Sequence, residues 1–149
     1  LQYVSGAKVL RGLNSYNWEE KFQNYSPENG SRMATITTYF LLLLRLLKDG
    51  FATIEQLAGD YKEIGHYWDS KNAKNEFEKT GERQLGGLYG FAGNTYKIVK
   101  KDSESSSGFS LLGGGYYGAG YYFPLSDVEH DYSPNVAGDH GVGLLELTK

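Results

Sequence analysis

The sequence predicts an α+β fold with two helices, short antiparallel strands and long loops. Helical spacing of apolar residues is confined to the first half of the chain, where two helices are expected between residues 36 and 65. After residue 87 the chain breaks into short apolar pieces separated by Gly and Ser clusters, which is typical of strands and turns. Because helices and strands do not alternate, nothing favours a parallel sheet covered by helices.

Length and composition indicate one folded domain, residues 1–149. The chain contains 35 residues of the types Leu, Ile, Val and Phe, a larger share than disordered chains have. It contains no cysteine, so disulfides, thiolate zinc sites and cysteine nucleophiles are all excluded. The unusual counts are 20 Gly and 13 Tyr, and the functional prediction depends on where these residues lie.

The first thirty residues predict one or two short strands followed by a long loop. Tyr3–Val4 and Lys8–Leu10 are strand-like, and Gly and Pro residues interrupt the rest of this stretch. A mostly buried helix is then expected from Ile36, because apolar residues recur at helical spacing as far as Leu47. Gly50 provides its C-terminal stop.

A second helix is predicted immediately afterwards. Thr53 and Gln56 have the Thr-x-x-Gln spacing of a capping box, and the helix is expected to end near Gly65. Residues 65–86 are polar and predict a surface excursion. Strands are then predicted at Leu88–Tyr89, Tyr96–Val99, Phe109–Leu112 and Leu144–Leu147, with a hairpin loop at residues 101–108.

Charge is distributed unevenly along a chain whose net charge is −3. Residues 1–110 carry 14 basic and 13 acidic side chains, whereas residues 111–149 carry one basic and five acidic side chains. This acidic quarter argues against a nucleic-acid partner, since phosphate binding needs clustered Lys and Arg. The longest apolar run, Tyr39–Leu44, is far shorter than the roughly 20 residues that span a bilayer. No membrane insertion is therefore predicted, and no stretch resembles a signal peptide.

Four segments occur in an order that resembles one known family. They are residues 49–57 (DGFATIEQL), 87–99 (GLYGFAGNTYKIV), 112–116 (LGGGY) and 143–145 (GLL). The second segment is the most specific, since it is similar to a family strand that reads GLYDMxGNVWEW; the matching residues are Gly87, Leu88, Tyr89, Gly93 and Asn94. Together the segments resemble the formylglycine-generating-enzyme branch of the C-type lectin fold, over about residues 49–147.

Departures from the family pattern limit what the resemblance implies. The oxidase activity of the family's namesake depends on cysteines, and this chain has none. Calcium-dependent sugar binding by ordinary C-type lectins uses a Glu-Pro-Asn or Gln-Pro-Asp loop. The nearest string here, Ser133-Pro134-Asn135, lacks the carboxylate that a hard cation needs. The resemblance thus implies the fold without oxidase or calcium chemistry, and no cofactor is predicted.

The segment between the Gly113-Gly114 corner and the terminal strand has the most unusual composition. This window, residues 115–140, holds five Tyr, four Gly, three Asp and two of the three His, a mixture that antibody combining sites also favour. Lys, Glu, Gln, Met and Trp make up 29 of the 149 residues but contribute one residue to the window. Adenine-directed mutagenesis of Asn codons cannot produce those five types. In its place near the C-terminus the window resembles the hypervariable region of variable proteins from diversity-generating retroelements, and the scarcity of those five types agrees with that resemblance.

Candidate contact residues follow from side-chain type within the window, because Tyr offers contact area and Asp, His and Asn offer hydrogen bonds. They are Tyr116, Tyr117, Tyr121, Tyr122, Asp127, His130, Asp131, Tyr132, Asn135, Asp139 and His140. For the tyrosines the alternative is packing, since successive residues of a strand point to opposite faces. For His130, Asp131, Asp139 and His140 the alternative is a metal site, but their spacing matches no metal signature.

The predicted function is non-enzymatic binding of a protein or glycan on another cell or particle, by a window that a retroelement diversifies. The resemblance implies a protein on a virion or cell surface, similar to phage or viral receptor-binding proteins. Two alternatives remain. One is a formylglycine-generating-type metalloenzyme with a His/Asp centre, and the other is a fibre-tip or assembly module whose tyrosines pack between subunits. The oligomeric state is left open.

Overall fold

A computed structural model describes about half of the chain. The described residues are 13–58, 84–86, 88–89, 91, 96–102, 108–113, 126, 128–132 and 141–149, with only the backbone described at 84, 89, 128–132 and 141–142. They contain helices α1 (Ser15–Gln23), α2 (Ile36–Lys48) and α3 (Ile54–Ala58), and a 3-10 turn at Pro27–Asn29. Of these helices, none is long and apolar enough to cross a membrane.

Helix α1 lies where the sequence predicted strands and a long loop, so that prediction is wrong for residues 15–23. The side chain of Asn14 caps the helix by accepting a hydrogen bond of 2.8 Å from the Asn17 amide. Its apolar face consists of Trp18 and Phe22, one turn apart, which is too short a pattern to reveal a helix. Tertiary packing of that face stabilises the helix. The predicted strands at the extreme N-terminus lie outside the described residues.

Helices α2 and α3 confirm the two predicted helices. Thr35 caps α2 by accepting from the Thr38 amide, and Gly50 follows the helix with a left-handed φ of 75°. The capping box of α3 forms in both directions. The Gln56 amide donates to Thr53 Oγ1 at 3.2 Å, and the Thr53 amide donates to Gln56 Oε1 at 2.9 Å. The predicted end of this helix near residue 65 lies outside the described residues.

Eight short strands are present in the described part of the chain. They are β1 (Ser31–Met33), β2 (Gln84–Leu85), β3 (Leu88–Tyr89), β4 (Tyr96–Lys100), β5 (Phe109–Leu112), β6 (Val128–Tyr132), β7 (Gly141–Gly143) and β8 (Leu145–Leu147). Strands β3, β4, β5 and β8 confirm the sequence-based strand predictions. The Lys101 amide also donates to the Gly108 carbonyl, which closes the predicted hairpin between β4 and β5.

The main sheet has four strands in the order β6-β5-β4-β7. The pairs β4–β5 and β5–β6 are antiparallel, as the fold class predicts, and the small pairs β1–β8 and β2–β3 are antiparallel too. Strand β7 pairs in parallel with β4, which the sequence analysis did not predict. A parallel neighbour is reached only by a connection that runs the length of the sheet. The combination of helices with mainly antiparallel strands confirms the α+β class.

Two apolar clusters cover opposite faces of the main sheet. Val99 and Leu112 belong to the larger cluster, together with α2 residues such as Tyr39. Ile98 belongs to the smaller cluster, which contains Trp18 of α1. Because neighbouring residues of a strand point to opposite faces, the sheet lies between α1 and α2.

Gly143 lies at a close contact between a helix and the sheet. The residue lies within strand β7, where α1 comes close to the sheet. A Cβ atom on Gly143 would lie 2.6 Å from Phe22 Cε2 and 3.0 Å from Trp18 Cδ2. Glycine is therefore needed here for close approach of two elements.

We expect Gly143→Ala to destabilise the protein by about 1–3 kcal/mol, because the added methyl group overpacks the contact with Phe22 and Trp18. Urea unfolding measures the change. Gly50→Ala is a control for loss of a glycine, since nothing lies within 4 Å of its Cβ position, although its positive φ adds some strain. Full stability of Gly143→Ala would contradict the close packing of α1 on β7.

Candidate functional site

Three of the four points at which the connections of the window join the main sheet lie at one end of that sheet. In register, Leu112 at the end of β5 lies opposite Val128 at the start of β6 and opposite Lys97 near the start of β4. Gly141 at the start of β7 lies opposite Tyr96. This end of the sheet, defined by Tyr96, Lys97, Leu112, Val128 and Gly141, is termed the upper end below.

The longer connection, residues 113–127, joins β5 to β6. It leaves the sheet at the upper end and returns to the sheet at the same end. Gly113, the first residue after β5, has a left-handed φ of 80°, which confirms the predicted corner and explains the glycine. Near the return to β6, the Ser126 amide donates a 2.9 Å hydrogen bond to the Leu57 carbonyl of α3. Near its return to the sheet, the connection is thereby tied to α3 through backbone groups.

The shorter connection, residues 133–140, joins the two ends of the sheet. It begins after Tyr132, which pairs with Phe109 at the lower end, and it finishes at Gly141 at the upper end. Asp127 and His140 therefore each adjoin a strand residue at the upper end.

Strand β6 lies inside the window, where the sequence pattern predicts no strand. Ser110 pairs with Asp131, but the next residue of β5, Leu111, pairs with Glu129. His130 is therefore the extra residue of a β-bulge between them. Bulges bend a strand and change the direction of its side chains, and they are frequent beside functional sites.

The structure brings three of the predicted contact residues together on one strand: His130, Asp131 and Tyr132. For these three the backbone is described and the side chains are not. The other predicted contact residues lie outside the described residues; they are Tyr116, Tyr117, Tyr121, Tyr122, Asp127, Asn135, Asp139 and His140. The contact roles of all eleven stay predictions.

A buried lysine lies just inside the upper end of the sheet. Lys97 is 4% exposed and its ammonium group lies 5.8 Å from the centroid of the Phe91 ring. Burial lowers the pKa of Lys97 from its ordinary value of 10.5 to about 7, because desolvation disfavours the charged form. Sequence reasoning missed this residue, since a lysine in a short strand is normally expected on the solvent side.

The described residues contain no group of three or more His, Asp or Glu side chains that could hold a metal ion. Of the four residues weighed as a metal site, His130 and Asp131 have described backbone only, and Asp139 and His140 lie outside the described residues. The metal alternative from the sequence therefore stays a hypothesis.

Comparisons with known proteins support one structural likeness. No protein-family model matches the chain, and no curated protein matches its sequence. Among solved structures, it is similar to Treponema denticola variable protein 1, with a TM-score of 0.54 and 18% identity. The match covers 77% of this chain and 46% of that one, so the chain spans less than half the length of this neighbour. At this identity the likeness concerns the fold alone.

Lys97 makes the stability of the protein depend on pH. Between pH 7 and 10.5 the unfolded chain retains a proton that the folded protein has released, so the free energy of unfolding rises with pH in this range. We expect the wild type to gain about 2 kcal/mol relative to Lys97→Met between pH 7 and pH 9. Urea unfolding of both proteins at the two pH values measures the gain. Parallel pH profiles would contradict the lowered pKa.

Proposed function

We propose that this chain is a non-enzymatic ligand-binding domain of the C-type lectin type, in which the window 115–140 forms a variable recognition surface. The single observation that carries the proposal is the attachment of the window to the sheet. Both ends of its longer connection and the end of its shorter one meet at the upper end, next to residues that belong to the cores. A rigid scaffold that presents long connections at one end is the common arrangement for binding surfaces.

Backbone attachment supports variation in the window. The window is held through the pairing of β6 with β5 and the hydrogen bond from Ser126 to Leu57, and both use main-chain groups. Main-chain hydrogen bonds persist when side chains change. Substitutions of exposed contact residues within the window are therefore expected to cost little stability.

The comparison agrees with the sequence resemblance. The sequence resembles variable proteins of diversity-generating retroelements, and the similar solved structure is named a variable protein. One likeness uses residue composition and motif order, and the other uses backbone geometry. Together they favour a retroelement-diversified binding domain over an enzyme.

The chemistry of the window suits a protein or glycan ligand. Five tyrosines provide large amphipathic contact area with few torsions to fix, and Asp, His and Asn provide hydrogen bonds. The acidic side chains favour partners with basic or hydrogen-bond-donating groups. In the proposed role the protein acts on a virion or cell surface, and its ligand belongs to another cell or particle.

Replacing Tyr121 and Tyr122 together by Ala is expected to shift the melting temperature by less than about 2 °C, because exposed contact residues contribute little to stability. The matched control is Tyr39→Ala in the core, where the ring is fully buried and the melting temperature should fall by about 10 °C or more. Differential scanning calorimetry measures both. A fall in the double variant as large as in the control would place these tyrosines in a core.

Binding is tested with the labelled wild-type protein on a glycan array and an array of cell-surface proteins. We expect discrete positive spots, with at least a 10-fold loss of signal in the Tyr121→Ala/Tyr122→Ala variant. Undiminished binding by the variant would contradict the role of these tyrosines. Stoichiometric transition metal in the purified protein would contradict the proposal itself and favour the metalloenzyme.

Tolerance of the window to substitution is tested with two libraries of the same size. One randomises Tyr116, Tyr117, Tyr121 and Tyr122, and the other randomises Tyr39, Leu43, Val99 and Leu112 in the larger core. We expect most members of the first library and few of the second to resist proteolysis, since core substitutions remove packing whereas substitutions of exposed contact residues cost little stability. Equal losses in both libraries would contradict a variable surface.

A further inference from the structure

The outward face of α2 carries two leucines that contact solvent. Leu41 is 60% exposed and Leu44 is 59% exposed. Exposed Thr37 and Lys48 extend this row of residues towards the two ends of the helix, and the four residues are termed the stripe below. The opposite face of α2 packs into the larger core, so these leucines play no part in holding the helix to the sheet. Adjacent exposed leucines on one helix face mark an interaction surface more often than isolated ones do.

The stripe has the spacing of a coiled-coil seam. Residues 37, 41, 44 and 48 are separated by four, three and four positions, which is the alternation that keeps one face of a helix against a partner helix. The pattern also reads the same in both directions, since its centre falls midway between Leu41 and Leu44. A stripe with this symmetry is complementary to itself when two copies run antiparallel.

We propose that α2 of one molecule pairs antiparallel with α2 of a second copy of this chain, about a two-fold axis between Leu41 and Leu44. In this pairing Leu41 of each copy lies against Leu44 of the other. Thr37 of each copy lies against Lys48 of the other. Each copy contributes the same surface, which closes the assembly at two molecules.

The charges at the ends of the stripe are complementary in this arrangement. Oδ2 of exposed Asp102 accepts a 3.2 Å hydrogen bond from the Thr37 amide, so a carboxylate lies at the N-terminal end of the stripe. Exposed Lys48 lies at its C-terminal end. Antiparallel pairing brings Lys48 of one copy towards Asp102 of the other, twice per dimer. A parallel pairing would bring like charges together at both ends.

The size of the surface predicts a weak dimer. Stable interfaces bury about 1,200–2,000 Å² in total, and two leucines from each molecule supply a small part of that area. We therefore expect a dissociation constant between about 10 µM and about 1 mM. If the proposed function holds, the dimer presents two windows and gains avidity for a multivalent target.

Cysteine cross-linking tests the register, and the cysteine-free chain makes the experiment clean. The variants are Thr37→Cys and Lys48→Cys. In the proposed pairing position 37 lies level with position 48 of the partner, whereas two copies of position 37 are about 16.5 Å apart along the axis, too far for a disulfide. We expect an equimolar mixture under mild oxidation to cross-link at least 10-fold faster than either variant alone.

The control is Glu20→Cys, an exposed position on α1. A mixture that cross-links no faster than this control overturns the proposal, and so does self-cross-linking of either variant at the rate of the mixture. No ligand is present in the experiment, so failure here leaves the proposed binding function unaffected.

Sedimentation equilibrium of the unlabelled protein provides the second test. We expect Leu41→Ser/Leu44→Ser to raise the dimer dissociation constant at least 10-fold, with an unchanged melting temperature because both side chains are exposed. Tyr25→Ser is the control, since Tyr25 is 68% exposed but lies outside α2. A wild type that stays monomeric at 1 mM overturns the proposal. Equal weakening by the control variant also overturns it.

Discussion

Strand β4 is the constraint on which the rest of the structure depends, because both of its faces are buried. Ile98 and Val99 are fully buried on opposite faces, the first with α1 and the second with α2. Strand β4 pairs with β5 and with β7. In addition, the Ile98 carbonyl accepts a hydrogen bond from the Leu144 amide at 3.1 Å, and the Lys100 amide donates one to the Ala34 carbonyl at 2.9 Å. Both helices and the β1–β8 pair are thus positioned by one five-residue strand.

The position of the window follows from this arrangement. Strands β5, β6 and β7 take their registers from β4 directly or through one neighbour, so the points where the window joins the sheet are determined by residues outside it. Lys97 belongs to the same strand, and its burial disfavours the charged form of its side chain. Its ammonium group is desolvated beside Phe91, which lowers its pKa.

Local patterns predicted the elements whose stabilising groups are close together in the chain. The capping box at Thr53 and Gln56, the apolar periodicity of α2 and the β4–β5 hairpin were all found from sequence, since each depends on contacts over a few residues. Helix α1 was missed because its apolar face has only two large side chains. The tyrosines of the window were found by type and location, but sequence alone did not predict that His130 lies at a bulge in a strand.

The sequence by itself determined the α+β class, the two central helices, the Gly113 corner and the composition of the window, because these are properties of residue order and of neighbours along the chain. Only the tertiary structure decided the parallel pairing of β7 with β4, the close contact of Gly143 with α1 and the burial of Lys97. The first two join residues that are far apart in sequence, and the third depends on apolar clusters that cover both faces of β4. Such contacts arise when the gain from burying apolar surface outweighs local conformational preference, which short-range patterns do not report.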